Sequence, residues 1–152
     1  MRGSVSALWL IPLLAGCGDA PGGRGSSGLE KGRFRFEAYC APCHQPEGLG
    51  IEGGGPPLAK SSWVKGSESR LIRIVLHGVR GPITASGVTV DREMLGFGPI
   101  LTDEEIASLL TFVRAQFGEA AQPVEPDSVR RVREQTRDRA DYWTVAELLE
   151  IP

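Results

Sequence analysis

The chain has 152 residues, of which 41% are hydrophobic and 24% charged, and its formal net charge is −2. This is an ordinary globular composition, and the length suits one domain whose core needs no disulfide bonds. The near-neutral charge argues against nucleic-acid binding as a main task, because phosphate contacts need clustered lysine and arginine.

Residues 1–17 differ in character from the rest of the chain. Arg2 supplies a positive charge, and the apolar run VSALWLIPLLA is too short to span a bilayer as a stable helix. The run ends in LAGC, Leu14 to Cys17, which resembles the lipobox of bacterial lipoproteins. This resemblance implies that Cys17 is lipidated and becomes the new N-terminus. An ordinary secretory signal and an uncleaved anchor are the alternatives, and all three predict an exported protein.

Residues 18–28, GDAPGGRGSSG, are predicted to be a flexible linker, because this composition has no means of burying itself. Such a linker would hold the following domain near a membrane yet free to turn. Residues 29–39 predict a short helix that leads into the segment YCAPCHQ. Residues 45–60 are predicted to be loop, since the central GLGIEGGGPPL carries too many glycines and prolines for a regular element.

Two further elements have their ends marked in the sequence. A helix is predicted between Ser67, as its N-cap, and Gly78, as its stop signal, with apolar residues spaced to share one face. Residues 82–90, PITASGVTV, alternate about a central Ser-Gly pair and predict a short β-hairpin.

An amphipathic helix is predicted over residues 103–117. Thr102 and Glu105 form a capping box at its start. One apolar stripe follows, made up of Ile106, Leu109, Leu110, Val113 and Phe117. Gly118 is placed to end the helix as its C′ residue.

Residues 119–152 are predicted to be a C-terminal tail that packs on the domain. A proline-marked break precedes a charged helix, and Thr144 and Glu147 form a second capping box. The tail lacks a core of its own, and a mobile arm is the alternative. The side chains expected to contact the domain are Val129, Val132, Trp143 and Leu148.

The segment from Cys40 to His44 places two cysteines three residues apart, with a histidine directly after Cys43. A structural zinc site needs four ligands, and few candidates are left once Cys17 is assigned to the leader and His77 to a core-forming helix. A thioredoxin-like redox pair favours a βαβ pattern, and no parallel-strand run is visible. Cys-x-x-Cys-His is the attachment signature of c-type haem: the thiols add to the two vinyl groups of the porphyrin, and the histidine reaches the iron.

On these residues the chain resembles class I cytochrome c, over about residues 29–118. In that family a glycine lies eight residues, and an aromatic residue four residues, before the first haem cysteine, and Gly32 and Phe36 occupy those places. The glycine lets the C-terminal helix cross closely. The resemblance implies an all-α fold of three to five helices around one covalent haem, to which the short hairpin and the helical tail are added.

The family pattern Gly-Pro-x-Leu matches GPPL, Gly55 to Leu58. By resemblance, the Pro56 carbonyl accepts the proton on the far nitrogen of His44, which fixes the tautomer and strengthens donation to iron. The resemblance also implies that Leu58 packs on the haem face.

Met94 is the candidate for the second axial ligand of the iron. The family takes a methionine from the loop before the C-terminal helix, and Met94 is the only one left once Met1 is removed with the leader. His77 is the competitor and would give an iron with two histidines, although a helix C-terminus favours histidine in any case. The segment MLGFG lacks the proline that often follows the axial methionine, which predicts a freer loop.

Two aromatic residues complete the candidate site. Phe97 is expected to form part of the wall of the haem pocket. Trp63 would donate its indole N–H to a haem propionate, as tryptophans in similar proteins do, or would only pack.

The resemblance implies an electron carrier and not an enzyme, because both axial positions of the iron are filled. Residues 63–83 and 101–118 also resemble small cytochromes that accompany periplasmic quinoprotein dehydrogenases. The expected partners are therefore such a dehydrogenase and an oxidase or another carrier, on the periplasmic side of a bacterial membrane. A haem enzyme or gas sensor with a labile Met94 bond, and a structural subunit that uses its tail for assembly, are the alternatives.

Overall fold

The computed structural model describes residues 23–119 and 122–152. The predicted leader with Cys17, and residues 18–22 of the predicted linker, lie outside this part. The described helices are α1 (Gly23–Arg35), α2 (Ala41–His44), α3 (Ser62–Lys65), α4 (Glu68–His77), α5 (Asp103–Phe117), α6 (Pro126–Gln135) and α7 (Val145–Leu149). Between α1 and α2, Phe36–Cys40 winds as a single π-helical turn. Within the described ranges, no helix is both long and apolar enough to cross a membrane.

Five short strands accompany the helices, so the predicted all-α class covers only part of the fold. They are β1 (Gly78–Arg80), β2 (Pro82–Ala85), β3 (Val88–Asp91), β4 (Met94–Leu95) and β5 (Trp143–Thr144). Strands β2 and β3 form the predicted hairpin. The other three form a small sheet in the order β4-β1-β5, with an antiparallel and a parallel pairing. Strands of two or three residues are too short to show an alternating pattern, and for that reason the sequence did not predict this sheet.

Helix α1 begins earlier than predicted, at Gly23 and not at Leu29. Residues 23–28, which were expected to belong to the linker, are helical in the structure. Extending a formed helix costs much less than starting one, and no proline interrupts this stretch. For residues 18–22 the linker stays a prediction.

Helices α1 and α5 cross at Gly32. A Cβ atom there would lie 2.1 Å from the carbonyl oxygen of Ser108, so only glycine allows this approach. One turn later the buried ring of Phe36 packs between Phe112 and Phe117, at centroid distances of 5.5 and 5.2 Å. This crossing fixes the start of the segment that carries the two cysteines.

The two predicted helix caps of the central domain are present. Ser67 accepts a hydrogen bond from the Arg70 N–H at the start of α4, and Thr102 and Glu105 form the complete capping box of α5. The predicted apolar stripe of α5 is buried.

The end of α5 differs from the prediction. Gly118 has φ −107°, and the left-handed residue is Glu119, with φ 58°. Gly118 is instead required because a side chain would not fit there. A Cβ atom would lie 2.9 Å from the Arg114 carbonyl and 3.0 Å from the Val64 side chain.

The tail lies against the helices of the domain. Helix α6 packs on α5 and α4, and β5 pairs with β1. Of the four apolar side chains named from the sequence, Val129, Val132 and Leu148 are buried and Trp143 is partly buried. The second capping box, between Thr144 and Glu147, is also formed.

Candidate functional site

The two cysteines of the site occupy different environments. Cys40 ends the π-helical turn and is buried in the main core, whereas Cys43 in α2 is exposed. Burial, with a smaller contribution from the nearby Cys43, raises the pKa of the Cys40 thiol to about 12. Both thiols are free of disulfide bonds in the described part of the chain. The two cysteines therefore stand one helical turn apart, next to His44.

His44 is the last residue of α2 and is buried. Its Nδ1 lies 2.8 Å from the carbonyl oxygen of Pro56. A carbonyl can only accept, so Nδ1 carries the proton and donates it. Burial lowers the pKa of His44, against the opposing effect of this hydrogen bond. The ring is therefore neutral, with its lone pair on Nε2, the form that binds a metal ion.

The loop after α2 folds back tightly onto this histidine. The N–H of Gly50 donates to the His44 carbonyl at 2.9 Å, and the N–H of Gly55 donates to the Cys43 carbonyl at 3.0 Å. Gly55 lies against the imidazole itself, at a distance that leaves no room for a side chain. These contacts place the Pro56 carbonyl at Nδ1, the relationship that the GPPL segment implied.

The other predicted site residues fall into two groups. Leu58 and Phe97 pack against the main core, which also contains Cys40. Met94 and Trp63 pack against a second cluster formed by Ile74, Val79 and Leu148. The structure thus brings His44 and Pro56 into direct contact, and it places Met94 with a different set of neighbours.

Met94 lies in β4, opposite Val79 of β1. The segment after it is fastened to the end of α4: the N–H of Phe97 donates to the Val75 carbonyl at 2.8 Å, and that of Gly98 to the Leu76 carbonyl at 3.0 Å. The absence of a proline after Met94 therefore does not leave this loop free, because carbonyls at the helix end hold it instead.

The tryptophan and the second histidine each have a partner within the protein. The indole N–H of Trp63 donates to the Thr84 carbonyl at 2.9 Å, so a bond to a haem propionate would have to replace that contact. His77 Nε2 lies 2.7 Å from the hydroxyl of Thr136. That hydroxyl donates to the Val132 carbonyl at 2.8 Å, so it accepts from His77.

The described part of the chain contains no ready-made cluster of metal-binding side chains. Among residues 23–119 and 122–152, no group of three or more His, Cys, Asp or Glu side chains is placed to hold a metal ion. A zinc site would require four such ligands.

Sequence reasoning missed the contribution of the tail. Arg133 of α6 donates to the carbonyls of Gly98 and Leu101 and to the Asp103 carboxylate. Trp143 of β5 lies opposite Val79, the residue that also pairs with Met94. No local pattern could have found these contacts, since their partners are more than two dozen residues away.

Residues 28–113 match the family model described as cytochrome C oxidase, cbb3-type, subunit III. A cytochrome c-552 of Thermus thermophilus is 34% identical over 108 residues, which are 65% of this chain and 82% of that protein. The fructose dehydrogenase cytochrome subunit of Gluconobacter japonicus is 35% identical over 122 residues, 72% of this chain and 24% of that subunit. The cbb3-type cytochrome c oxidase subunit FixP of Azorhizobium caulinodans is 31% identical over 91 residues, 59% of this chain and 30% of that subunit. The family match runs from α1 into α5 and includes both cysteines, His44 and Met94.

Proposed function

Because the chain belongs to the cytochrome c family, as its match to the cbb3-type subunit III model shows, we propose that it carries electrons through a single haem c. Cys40 and Cys43 would hold the haem covalently, and His44 and Met94 would be the axial ligands. Membership of the family implies covalent haem c and electron transfer; the count of one haem and the ligand assignments are our proposal.

The residues present fit this cofactor. Both thiols are free, and the hydrogen bond of His44 at Nδ1 leaves Nε2 as the nitrogen available to iron. This bond is the observation that carries the proposal, because a carbonyl behind the histidine is how proteins fix the tautomer and orientation of a metal ligand. When bound, the haem supplies reversible one-electron chemistry.

The protein's own contribution is to set the environment of the iron. Neutral His44 would donate its Nε2 lone pair to the iron, and the soft thioether of Met94 would favour the ferrous state. If both side chains bind, no position on the metal would be left for a substrate. The hydrogen bonds that tie the Met94 segment to α4 favour the carrier over the alternative of a peroxidase-like enzyme or gas sensor.

The partners and the location are part of the same proposal. Relatives named as a cytochrome subunit of fructose dehydrogenase and as a subunit of a cbb3-type oxidase support partners of these two kinds. We place the domain, residues 29–118 with the tail of residues 119–152, on the periplasmic side of a bacterial membrane. Lipidation of Cys17 would attach it there, and the haem would pass electrons from a dehydrogenase to an acceptor.

The experiment that tests the ligand set is a comparison of wild type with Met94→Ala, Met94→His and His77→Ala. Oxidised wild type should show the weak sulfur-to-iron charge-transfer band at the red end of the visible spectrum. Met94→Ala should lose the band, bind carbon monoxide when reduced and have a lower potential. Met94→His should lose the band, remain six-coordinate and also have a lower potential, and His77→Ala should keep the band. A wild type that lacks the band and binds carbon monoxide rapidly would favour the enzyme or sensor instead.

A further inference from the structure

We infer that Arg133 is a positioning residue for the Met94 loop, defined here as residues 94–101: it holds this loop closed and so resists the loss of Met94 from the iron. The inference rests on the proposed function, because it takes Met94 as an axial ligand. The fold places Arg133 on α6, outside the domain that the family match covers.

The guanidinium of Arg133 uses all three of its nitrogens at this place. Nη1 donates to the Gly98 carbonyl at 2.7 Å, and Nη2 donates to the Leu101 carbonyl at 2.9 Å. Nε donates to the Asp103 carboxylate at 2.8 Å. Asp103 is the first residue of α5, so one side chain of the tail joins the end of the loop to the start of the next helix.

Gly98 is held from two sides. Its N–H donates to the Leu76 carbonyl of α4, and its carbonyl accepts from Arg133 of α6. A Cβ atom at Gly98 would lie 2.7 Å from the Leu76 carbonyl, so the loop runs directly against α4. The loop therefore cannot move away from α4 without breaking its bonds to Arg133 or carrying α6 with it.

A lysine could not replace this arrangement. Guanidinium is planar and presents its donors in a fixed fork, which suits two carbonyls and a carboxylate at once, whereas ammonium is a point charge on a flexible stem. The Asp103 carboxylate further fixes the fork, since its side chain is only 18% exposed. Removing the guanidinium leaves the carbonyls of Gly98 and Leu101 without these donors.

Release of Met94 from iron requires the loop to open, so the loop contacts enter the equilibrium between the bound and released states. Hydrogen bonds with a charged donor contribute enough that their loss should shift this equilibrium toward opening by roughly ten- to a hundredfold. An external ligand that takes the place of Met94 reports this shift directly, because its apparent affinity depends on the fraction of open molecules.

The test is a titration of the oxidised, haem-loaded protein with imidazole. The loss of the charge-transfer band is the signal that reports imidazole binding. Arg133→Gln should bind imidazole roughly ten- to a hundredfold more tightly than wild type, and Arg133→Lys should lie in between. Arg137→Gln, an exposed arginine near the end of the same helix, should match wild type. Val129→Ala removes a buried side chain of α6 that makes none of these hydrogen bonds, and it should lower stability while leaving the imidazole affinity within about threefold of wild type.

A second readout does not depend on the haem spectrum. Amide hydrogen exchange at residues 96–101 should be faster in Arg133→Gln than in wild type and unchanged in Arg137→Gln. If Arg133→Gln does not fold, Arg133→Lys supplies both measurements.

The two proposals fail in different ways. If wild type lacks the band, or Met94→Ala leaves it in place, Met94 is not the ligand and the proposed function fails. If Met94→Ala abolishes the band while Arg133→Gln, or Arg133→Lys in its place, binds imidazole as wild type does, Met94 is the ligand and the inference about Arg133 is wrong. It is equally wrong if Val129→Ala tightens imidazole binding as much as Arg133→Gln does, since a general loosening of the tail would then explain both.

Discussion

Gly55 lies so close to His44 that a Cβ atom on it would stand 2.8 Å from both Cε1 and Nδ1 of the imidazole. Gly55→Ala should therefore displace the ring from the Pro56 carbonyl. We expect a lower yield of haem-loaded protein and a loss of about 1–3 kcal/mol of stability, as for other overpacked sites. Haem staining of denatured protein and urea unfolding of the purified protein measure the two effects.

Gly53→Asn is the matched control in the same loop. Nothing lies within 4 Å of a Cβ atom there, and asparagine tolerates the positive φ of 71°. Wild-type yield and stability in Gly55→Ala would mean that His44 does not depend on this close approach.

Gly32→Ala tests the crossing of α1 and α5. The added Cβ atom would lie 2.1 Å from the Ser108 carbonyl oxygen and 2.7 Å from Cβ of Phe112, and both of these residues belong to α5. The helices must separate, at a cost of about 1–3 kcal/mol or more. Gly28→Ala, on the same helix with nothing within 4 Å, should be neutral or slightly stabilising. Equal unfolding midpoints in urea for the two variants would contradict this interpretation of the crossing.

The sequence was sufficient where the signal is local. The capping boxes at Thr102 and Thr144, the stripe of α5 and the hairpin depend on residues close together in the chain, and the structure contains them. The contact between Pro56 and His44 was predicted only through a family resemblance. It too joins residues that are close in the chain.

What the sequence could not predict depends on distant partners. Arg133 looks like one more solvated charge in a charged helix, and its role appears only when α6 is placed beside residues 98–103. The pairing of β1 with β5 is hidden for the same reason, because a two-residue strand carries no pattern of its own.

Trp63 offers a test of how the hairpin is held. Its indole N–H donates to the Thr84 carbonyl of β2, and Arg70 lies over the ring at 5.5 Å. Trp63→Phe keeps an aromatic ring and removes the donor, so we expect a loss of about 1 kcal/mol of stability and an unchanged reduction potential. A shift in potential with unchanged stability would instead assign this N–H to the haem.

Glu147 predicts a specific dependence of stability on pH. The backbone N–H of Thr144, with smaller contributions from the Thr144 hydroxyl and Arg139, lowers the pKa of Glu147 from 4.5 to about 2. A depressed carboxyl pKa stabilises the fold above the pKa of the unfolded chain, and this contribution is lost as the pH falls from 4.5 toward about 2. Glu147→Gln should therefore be less stable than wild type at neutral pH, and the gap should narrow over this acid range.

Urea unfolding followed by circular dichroism, repeated from neutral to acid pH, measures that gap. Glu150→Gln, at the C-cap position of the same helix, is the control for removing one negative charge from this end of the chain. A constant gap between Glu147→Gln and wild type at every pH would show that the capping box acts through shape and not through charge.

The proposed lipid anchor can be tested by replacing Cys17. Cys17→Ser should abolish labelling with a fatty-acid probe and release the domain into the soluble fraction. The reason is that the substitution removes the proposed attachment site of the lipid. Unlipidated wild type that still sediments with membranes would remove the lipoprotein proposal.

The small β4-β1-β5 sheet is expected to unfold before the loop that holds His44. The hydrogen bond between His44 and Pro56 joins residues only twelve positions apart in the chain. Met94 lies in a sheet that also needs the pairing of Val79 with Trp143, which are much farther apart in the chain. Closing a long loop costs more entropy, so the sheet is the later element to form and the earlier one to open. A partly unfolded molecule would keep the loop around His44 ordered after the β4-β1-β5 sheet, which contains Met94, has opened. Native-state hydrogen exchange would then show amide protection lost at β4 and β5 before it is lost at Gly50 and Gly55.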